Sequence, residues 1–271
     1  MLFCIKNEKK YLQIVYFRVK CIWYIYAQYY VKEQVFIMSI AYKRVLLKLS
    51  GEALSGKDGI INYEYIQEIG TVVRRCISEG AQIAIVVGAG NIWRGRQGLA
   101  MDRVRADQMG MLATVINSLA IQDAFLSVGV DTVVMSAVEM DAFCEHYTQR
   151  DAVKALEAGK VVVFGAGTGN PFFSTDTGAA LRACEIGADA ILMAKNIDGI
   201  YTADPRIDPK AKKLSETTYD YILSNHLGAI DLTAASLASD NDMHLLVFGL
   251  DNSENIYKVI TGDNCGTVVK N

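Results

Sequence analysis

Residues 83–91 read Ile-Ala-Ile-Val-Val-Gly-Ala-Gly-Asn, and this stretch decides the fold. A run that is apolar on both faces is typical of a strand in a parallel sheet covered by helices. The small residues at its end let the backbone approach a ligand closely and turn N–H groups toward it. The same pattern occurs at residues 161–169 (Val-Val-Val-Phe-Gly-Ala-Gly-Thr-Gly). A third strand-like run, residues 44–49, is followed by Ser50 and Gly51.

Strand-like runs alternate with amphipathic stretches of helix length, which predicts a three-layer α/β/α sandwich around a mostly parallel sheet. The strand candidates are residues 43–49, 82–87, 131–136, 160–164, 189–194 and 244–249. The helix candidates are residues 62–79, 101–128, 149–158, 175–187, 217–226, 233–240 and 253–260. Ligands of such folds bind beyond the carboxyl ends of the strands. Three glycine-containing turns at those ends predict a protein that handles two phosphorylated ligands at once.

Composition narrows the class of protein. The chain has 271 residues, of which 51% are apolar, so it can form a sizeable core. A net charge of −3 argues against nucleic-acid binding through a basic surface. The six cysteines form no CxxC pair, which favours reduced thiols in the cytoplasm over a disulfide framework or a zinc site. The three histidines are isolated from one another, so we expect no metal held by protein ligands alone.

Residues 1–37 differ from the rest of the chain, because they carry six of its 14 tyrosines and a local excess of Lys and Arg. Arg18 and Lys20 lie in the middle of their apolar stretch and would cost roughly 5–7 kcal/mol in a membrane, which argues against a span. Met38 reads as an ordinary start. We therefore expect residues 1–37 to be a non-native or disordered extension and residues 38–271 to be the functional domain. A targeting or membrane-surface role is the alternative.

Two common nucleotide-binding motifs are absent from the sequence. The dinucleotide fingerprint GxGxxG needs a third glycine, but Trp93 follows the first glycine pair at that spacing and Asn170 follows the second. The phosphate-binding pattern GxxxxGK[ST] does not occur in the sequence.

A set of polar residues lies in or beside the glycine-rich turns and could carry chemistry instead. It consists of Lys48, Ser50, Arg94, Asp107, Thr168, Asn170, Ser174, Thr175, Asp176, Lys195, Tyr201 and Asp204.

The chemistry of individual members leaves alternatives open. A lysine buried without a partner is costly, so a bound anion explains Lys48, unless its side chain extends along the sheet edge to solvent. Ser174 and Thr175 are suited to capping a helix whose free N–H groups also attract phosphate. Asp176 would repel phosphate there, so we expect it to hold lysines in position. Residues 198–205 read either as a nucleobase and ribose contact or as an ordinary turn.

From about Tyr42 to Val269 the chain resembles the bacterial UMP kinases of the amino acid kinase superfamily. The resemblance rests on five motifs that occur in order, at residues 42–54, 90–95, 107–114, 165–176 and 198–205. The superfamily shares the lysine-serine-glycine strand end and the glycine turns, whereas the GTGNPFF and GNxxRG segments are typical of UMP kinases.

The resemblance implies a role for each site residue. Lys48 and Asp176 would be catalytic, with Asp176 orienting the lysine. The implied ATP-binding residues are Lys48, Leu49, Ser50, Gly51, Gly90, Arg94, Lys195, Tyr201 and Asp204. The implied UMP-binding residues are Ala89, Asp107, Thr168, Gly169, Asn170, Pro171, Phe172, Phe173, Ser174 and Thr175.

The resemblance also implies partners and regulation. The expected reaction is Mg²⁺-dependent transfer of the ATP γ-phosphate to UMP in pyrimidine nucleotide (CTP) biosynthesis, by a cytoplasmic homohexamer that GTP activates and UTP inhibits. No nucleic acid or membrane partner is implied. Two alternatives remain open from the sequence: a kinase acting on a carboxylate or carbamate, and a non-catalytic nucleotide sensor or oxyanion-storage module on the same fold.

Three positions depart from the family pattern. Ala89 stands where relatives commonly have glycine, so strain is expected there if φ is positive. The loop at residues 55–62 is shorter by one residue than usual, and this loop is tied to GTP activation. Met193 stands where some relatives carry lysine, so Lys195 is expected to reach the phosphates in its place or to be a solvated loop cation.

Overall fold

A central parallel sheet organises the part of the chain that the structure, a computed structural model, describes: residues 40–56, 59–93 and 101–271. The strands are β1 Arg44–Leu49, β2 Gln82–Val87, β3 Thr132–Ser136, β4 Glu145–His146, β5 Val161–Gly165, β6 Ala190–Lys195, β7 Ile200–Tyr201, β8 Lys213–Leu214, β9 Glu216–Thr218, β10 His244–Gly249 and β11 Thr267–Lys270. The helices are α1 Tyr63–Ser78, α2 Arg103–Ser127, α3 Gln149–Glu157, α4 Thr175–Ile186, α5 Tyr219–Ser224, α6 Leu232–Asp240 and α7 Glu254–Ile260, and a 3-10 helix spans Gly51–Leu54.

Nine strands form the main sheet in the order β4-β3-β5-β2-β1-β6-β10-β11-β9. Every neighbouring pair is parallel except β10 and β11. The chain winds to one side of β1 through β2 and to the other side through β6. Such a change of direction opens a crevice at the carboxyl ends of the strands, where ligands of open α/β sheets bind.

Helices cover both faces of this sheet. The alternation along β1 sends Leu47 into one apolar cluster, with residues of α1, α2 and α7, and Leu46 into a second cluster, with residues of α3, α4, α5 and α6. Both side chains are fully buried. The expectation of a three-layer α/β/α sandwich around a mostly parallel sheet is thereby confirmed.

The sequence did not predict several short strands, and it placed the start of one helix incorrectly. The six expected strands are present, but β4, β7, β8, β9 and β11 were not predicted, because two to four residues carry too little periodicity. The expected helix at residues 217–226 is wrong at its start. Residues 216–218 pair with β11 as a strand, and the Thr218 side chain then accepts a hydrogen bond from Tyr221 N at 3.1 Å and caps the helix.

Helix α2 combines two surfaces. By length and composition alone it could cross a membrane, but 44% of its apolar 18-residue window is buried inside the protein. A buried core helix meets the same length and composition criteria. Ile121 and Phe125 are fully buried under the sheet, whereas Met109, Leu112 and Ile116 are exposed. The predicted extension at residues 1–37 and the start at Met38 lie outside the described residues.

Gly266 should be sensitive to substitution, because a Cβ atom there would lie 2.1 Å from the Val247 carbonyl oxygen of β10. We expect Gly266→Ala to lower the free energy of unfolding by about 2 kcal/mol or more, since backbone atoms must separate to admit the methyl group. Urea denaturation measures the change. Gly178→Ala on α4 is the matched control. Its Cβ would meet Gly167 only at an ordinary 3.6 Å, and alanine favours a helix by about 1 kcal/mol. Equal destabilisation of both variants would contradict this account.

Candidate functional site

Two of the glycine-containing turns touch each other at the carboxyl ends of β1 and β2. The Gly88 N–H donates to the Leu49 carbonyl at 3.0 Å. A Cβ atom on Gly51 would lie 2.4 Å from the Gly88 carbonyl oxygen, so only glycine fits at position 51. Buried Asn117 of α2 holds the same carbonyl from behind, with its Nδ2 atom donating at 2.8 Å. The turn after β2 is thus fixed by a backbone hydrogen bond to β1 and by the Asn117 side chain.

The remaining glycine-rich turn follows β5, and its backbone contains residues with positive φ. Ala166 has φ 61° and Gly167 has φ 58°, so two consecutive residues are left-handed, and Gly169 has φ 79°. The expected position of strain, Ala89, does not have a positive φ, and the left-handed alanine is Ala166 instead.

The centre of the site is a carboxylate between two ammonium groups. The Lys48 Nζ atom lies 2.9 Å from Asp176 Oδ1, and the Lys195 Nζ atom lies 3.5 Å from Asp176 Oδ2. Lys195 also donates to the Ala229 carbonyl. The side chains of Lys48 and Asp176 are only 11% and 16% exposed. Lys48 is therefore not a buried lysine without a protein partner, and neither a bound anion nor an extension to solvent is needed to explain its burial.

Burial and charge act against each other on this group of three. Burial alone would raise the pKa of Asp176, but Lys48 and Lys195 outweigh it and hold the carboxyl pKa below its usual value. Burial, together with the charge of Lys48, holds the pKa of Lys195 below its usual value, although Asp176 opposes this shift. The two lysines together carry one more charge than Asp176 neutralises, so the centre favours an anionic ligand.

Two cavities meet at Lys48. The first has a volume of about 610 Å³. Of the predicted site residues it is lined by Lys48, Ala89, Gly90, Asp107, Thr168, Asn170, Phe173, Ser174, Thr175 and Asp176. The second has a volume of about 770 Å³. Of the predicted site residues it is lined by Lys48, Ser50, Lys195, Tyr201 and Asp204.

The remaining predicted residues lie elsewhere. Leu49, Gly51, Gly169, Pro171 and Phe172 are not among the described residues that line either of these two cavities. Leu49 is fully buried in the core, and Gly51 and Gly169 shape the turns. Arg94 lies outside the described residues. Gly90, implied as an ATP contact, lines the cavity that holds the implied UMP residues.

Asp107 connects α2 to the loop after β5. Its Oδ2 atom accepts hydrogen bonds from the Phe172 backbone N–H and from Arg103 Nε, both at 2.8 Å. This carboxylate is thus fixed at the rim of the first cavity, and its role toward UMP stays a prediction.

The second cavity has an aromatic and an acidic wall. The Tyr201 hydroxyl donates to Asp198 Oδ1 at 2.9 Å, which holds the ring in place. Asp204 pairs with Arg206, whose Nη2 atom lies 2.8 Å from its Oδ2 atom. Arg206 is 87% exposed, so water or a ligand hydroxyl group can replace it at little cost.

Sequence reasoning missed Asp231, which lines the first cavity. Asp231 accepts hydrogen bonds from the hydroxyls of Ser174 and Thr177, and it caps α6 through Ala234 N at 3.0 Å. An aspartate before a helical stretch indicates a cap, but nothing in the sequence shows that this helix end meets the start of α4.

The described residues include no cluster of three or more His, Cys, Asp or Glu side chains that could hold a metal ion. The site instead offers two cavities, backbone N–H groups and a shared cationic centre. This arrangement can hold two anionic ligands end to end and neutralise charge where they meet.

Comparison with known proteins places this geometry among kinases. Residues 43–249 match the amino acid kinase family. The crystal structure of UMP kinase from Bacillus anthracis superposes with a TM-score of 0.81 at 35% sequence identity, over 84% of this chain and 96% of that one. UMP kinase from Ureaplasma parvum gives 0.80 at 39% identity, over 84% of this chain and 99% of that one. Uridylate kinase from Archaeoglobus fulgidus gives a TM-score of 0.65 at 28% identity, over 83% of this chain and 99% of that one.

Removing the central carboxylate should destabilise the fold. We expect Asp176→Asn to lower the free energy of unfolding at pH 7 by about 3 kcal/mol, because Lys48 and Lys195 would then repel each other without a counter-charge. Denaturant titration measures the change, and Asp204→Asn, which breaks an exposed pair, should change little.

The same variant should lose its effect in acid. The pKa of Asp176 lies below its usual 3.8, so its contribution to stability is complete above that pH and disappears as the pH falls through the lowered pKa. The difference between the two proteins should therefore narrow below about pH 4. A difference that stays constant down to pH 3 would refute the ion-pair explanation.

Proposed function

The chain belongs to the amino acid kinase family and within it to the UMP kinases, and we propose that it transfers the γ-phosphate of ATP to UMP, giving UDP and ADP. The observation that carries this proposal is that two cavities share one lysine, Lys48, at the carboxyl ends of the strands. Phosphoryl transfer requires a donor and an acceptor to meet in line, and the protein mainly supplies positioning and charge neutralisation.

We assign UMP to the first cavity and ATP to the second. The first cavity is lined by Ala89, by Thr168 and by the residues at the N-terminus of α4, a helix end that favours phosphate. The second offers Tyr201 for stacking against a base and Asp204 for a ribose hydroxyl. Lys48, at the junction, would lie beside the transferred phosphoryl group.

The chain's own residues account for the reaction without a general base, because the UMP phosphate is already a nucleophile. Lys48 neutralises charge that develops on the transferred group, and Asp176 keeps that ammonium group in place at 2.9 Å. Lys195 adds a second positive charge on the ATP side. When bound, Mg²⁺ would neutralise the β- and γ-phosphate oxygens. The phosphates would supply most of its ligands.

We place the reaction in pyrimidine nucleotide synthesis in the cytoplasm. UDP is the precursor of UTP and CTP. The cysteines at 76, 144, 184 and 265 are all free thiols, as is usual in a reducing compartment. We assign the activity to residues 38–271.

We propose a homohexamer built from dimers, with the exposed stripe of α2 as the dimer interface. Met109, Leu112 and Ile116 follow one another at helical spacing and are 38%, 52% and 49% exposed. Apolar side chains in such a row are typical of a helix surface that packs against another protein surface.

Regulation by GTP and UTP is proposed on the family resemblance. The family ties the loop at residues 55–62 to GTP activation. Among its described residues, the Gly56 N–H donates to the Gly59 carbonyl, and the Ile60 carbonyl accepts a hydrogen bond from Asn91 Nδ2 at 2.7 Å. The contact between Asn91 and Ile60 joins this loop to the glycine-rich turn after β2.

Lys48→Ala should lower turnover with UMP by roughly a thousandfold, which is the size of effect expected when a charge-stabilising group is removed from a transition state. Folding should persist because Asp176 keeps Lys195 as a partner. ADP release is measured with UMP, CMP, aspartate and acetylglutamate as acceptors, with and without GTP. Lys160→Ala, which removes a lysine from an exposed pair with Asp131, is the control and should retain activity.

Three results would count against the proposal. Near-normal turnover in Lys48→Ala would remove the central lysine from the mechanism. ADP release only with an amino acid acceptor would favour a carboxylate kinase. Tight nucleotide binding by the parent protein without any UDP formation would favour a sensor or storage module.

Leu112→Glu should dissociate the assembly, since a carboxylate in a buried apolar interface is strongly unfavourable. Analytical ultracentrifugation should show a smaller species than the parent protein. Ile207→Glu is the control, because Ile207 is 81% exposed in a loop and the change there should leave the mass unchanged. An unchanged mass for Leu112→Glu would exclude this stripe as the interface.

A further inference from the structure

The loop after β5 adopts a conformation that its own sequence does not favour. Ala166 and Gly167 are both left-handed, with φ of 61° and 58°. Glycine accepts this conformation freely, whereas alanine does so only when the surroundings impose it. Thr168 and Asn170, which follow directly, line the cavity assigned to UMP. The position of the acceptor therefore depends on what holds this backbone.

Two side chains from different helices hold it. On α2, the Thr114 hydroxyl accepts a hydrogen bond from the Ala166 N–H at 2.9 Å and donates to the Met111 carbonyl at 2.6 Å. On α4, the Arg182 Nη2 atom donates to the Gly167 carbonyl at 3.3 Å. One contact fixes the N–H group of the first left-handed residue, and the other fixes the carbonyl of the second.

Arg182 is itself held rigidly behind the loop. Its side chain is only 6% exposed, and its Nη1 atom lies 2.6 Å from Glu185 Oε2. The guanidinium carbon lies 3.9 Å from the centre of the Tyr147 ring, and the Tyr147 hydroxyl donates to the same Glu185 oxygen at 2.6 Å. A planar guanidinium group can contact a carboxylate, a ring face and a carbonyl together, which an ammonium group cannot do in the same way.

We propose that Arg182 is a positioning residue for the phosphate acceptor: it fixes the Gly167 carbonyl and thereby sets the place of Thr168 and the residues that follow. This inference rests on the proposed function, because it takes the first cavity as the UMP site. Arg182 does not act on the transferred group. It acts on how well the acceptor is held, and a small displacement of a bound reactant is enough to lower the rate.

A merely structural role for Arg182 makes a different prediction. If the cluster of Arg182, Glu185 and Tyr147 only stabilises the packing of α4, any variant in the cluster should lower stability and active fraction without selecting between the two substrates. If Arg182 positions the loop, its loss should weaken UMP binding specifically, since none of residues 166–175 is among the described residues that line the ATP cavity.

The test compares Arg182→Met with Tyr147→Phe in the full-length protein. Both variants disturb the same cluster, but only the first removes the contact with Gly167. Initial rates are measured with UMP varied at saturating ATP and with ATP varied at saturating UMP, after thermal melting shows each protein to be folded. For Arg182→Met we expect KM for UMP to rise by about tenfold, as for the loss of a hydrogen bond from a charged donor, and KM for ATP to change by less than about twofold. Tyr147→Phe should leave KM for UMP unchanged.

Should Arg182→Met not fold, Thr114 tests the other contact that holds this loop; because Thr114 also lines the first cavity, its two variants are compared with each other. Thr114→Val removes the hydroxyl that accepts from Ala166 and keeps the shape, and we expect it to raise KM for UMP. Thr114→Ser keeps the hydroxyl, so its rise should be clearly smaller.

The outcomes separate this inference from the function on which it rests. If the parent protein forms UDP and folded Arg182→Met has an unchanged KM for UMP, the positioning role is wrong and the kinase assignment survives. Equal rises in KM for UMP and ATP, or the same rise in Tyr147→Phe, would equally overturn it. If the parent protein forms no UDP, the proposed function itself fails.

Discussion

The ion pairs of Asp176 with two lysines are the interaction on which the site depends. Asp176 lies in the first turn of α4, Lys48 is near the end of β1 and Lys195 ends β6, so one carboxylate links three elements at the carboxyl edge of the sheet. Because the side chains are largely buried, these charges are poorly screened, and each would be costly without the others. The surplus positive charge makes the same point a place where two phosphates can meet.

The fold leads to this arrangement through simple alternation. Lys48 lies on the same face of β1 as Leu46, which is the face that α4 covers, and its neighbours in register are Val86 of β2 and Met193 of β6. Helix α4 presents Ala179, Ala180 and Ala183 to the sheet, and such small side chains allow a helix to lie close to the strands. Met193, which stands where some relatives carry lysine, is fully buried. Lys195, two residues further along the same face of β6, is the residue that contacts Asp176.

Much of this could be predicted from the sequence, and the remainder has physical reasons. The continuous apolar runs at residues 83–87 and 161–164 predicted parallel strands, and the glycines after them marked the edge where ligands bind. Asp176 was expected to hold lysines in position, because a carboxylate at a helix start would repel phosphate. The residues alone did not show that Lys48 and Lys195 are those lysines, since Asp176 is 128 positions from Lys48 and meets it only through the fold. Strain was considered at Ala89, where relatives commonly have glycine, but the alanine with positive φ is Ala166. The sequence does not show this, since φ depends on what holds the backbone, here Thr114 and Arg182. Asp231 was missed because its cap faces a helix from another part of the chain.

A crystal structure with UMP and a non-hydrolysable ATP analogue bound together tests the central claim most directly. The account predicts the UMP phosphate in the cavity beside Thr168 and Thr175, the triphosphate reaching from the cavity beside Tyr201, and the Lys48 ammonium group within hydrogen-bonding distance of the phosphate that faces UMP. Nucleotides bound with their phosphates apart from each other and remote from Lys48 would contradict it.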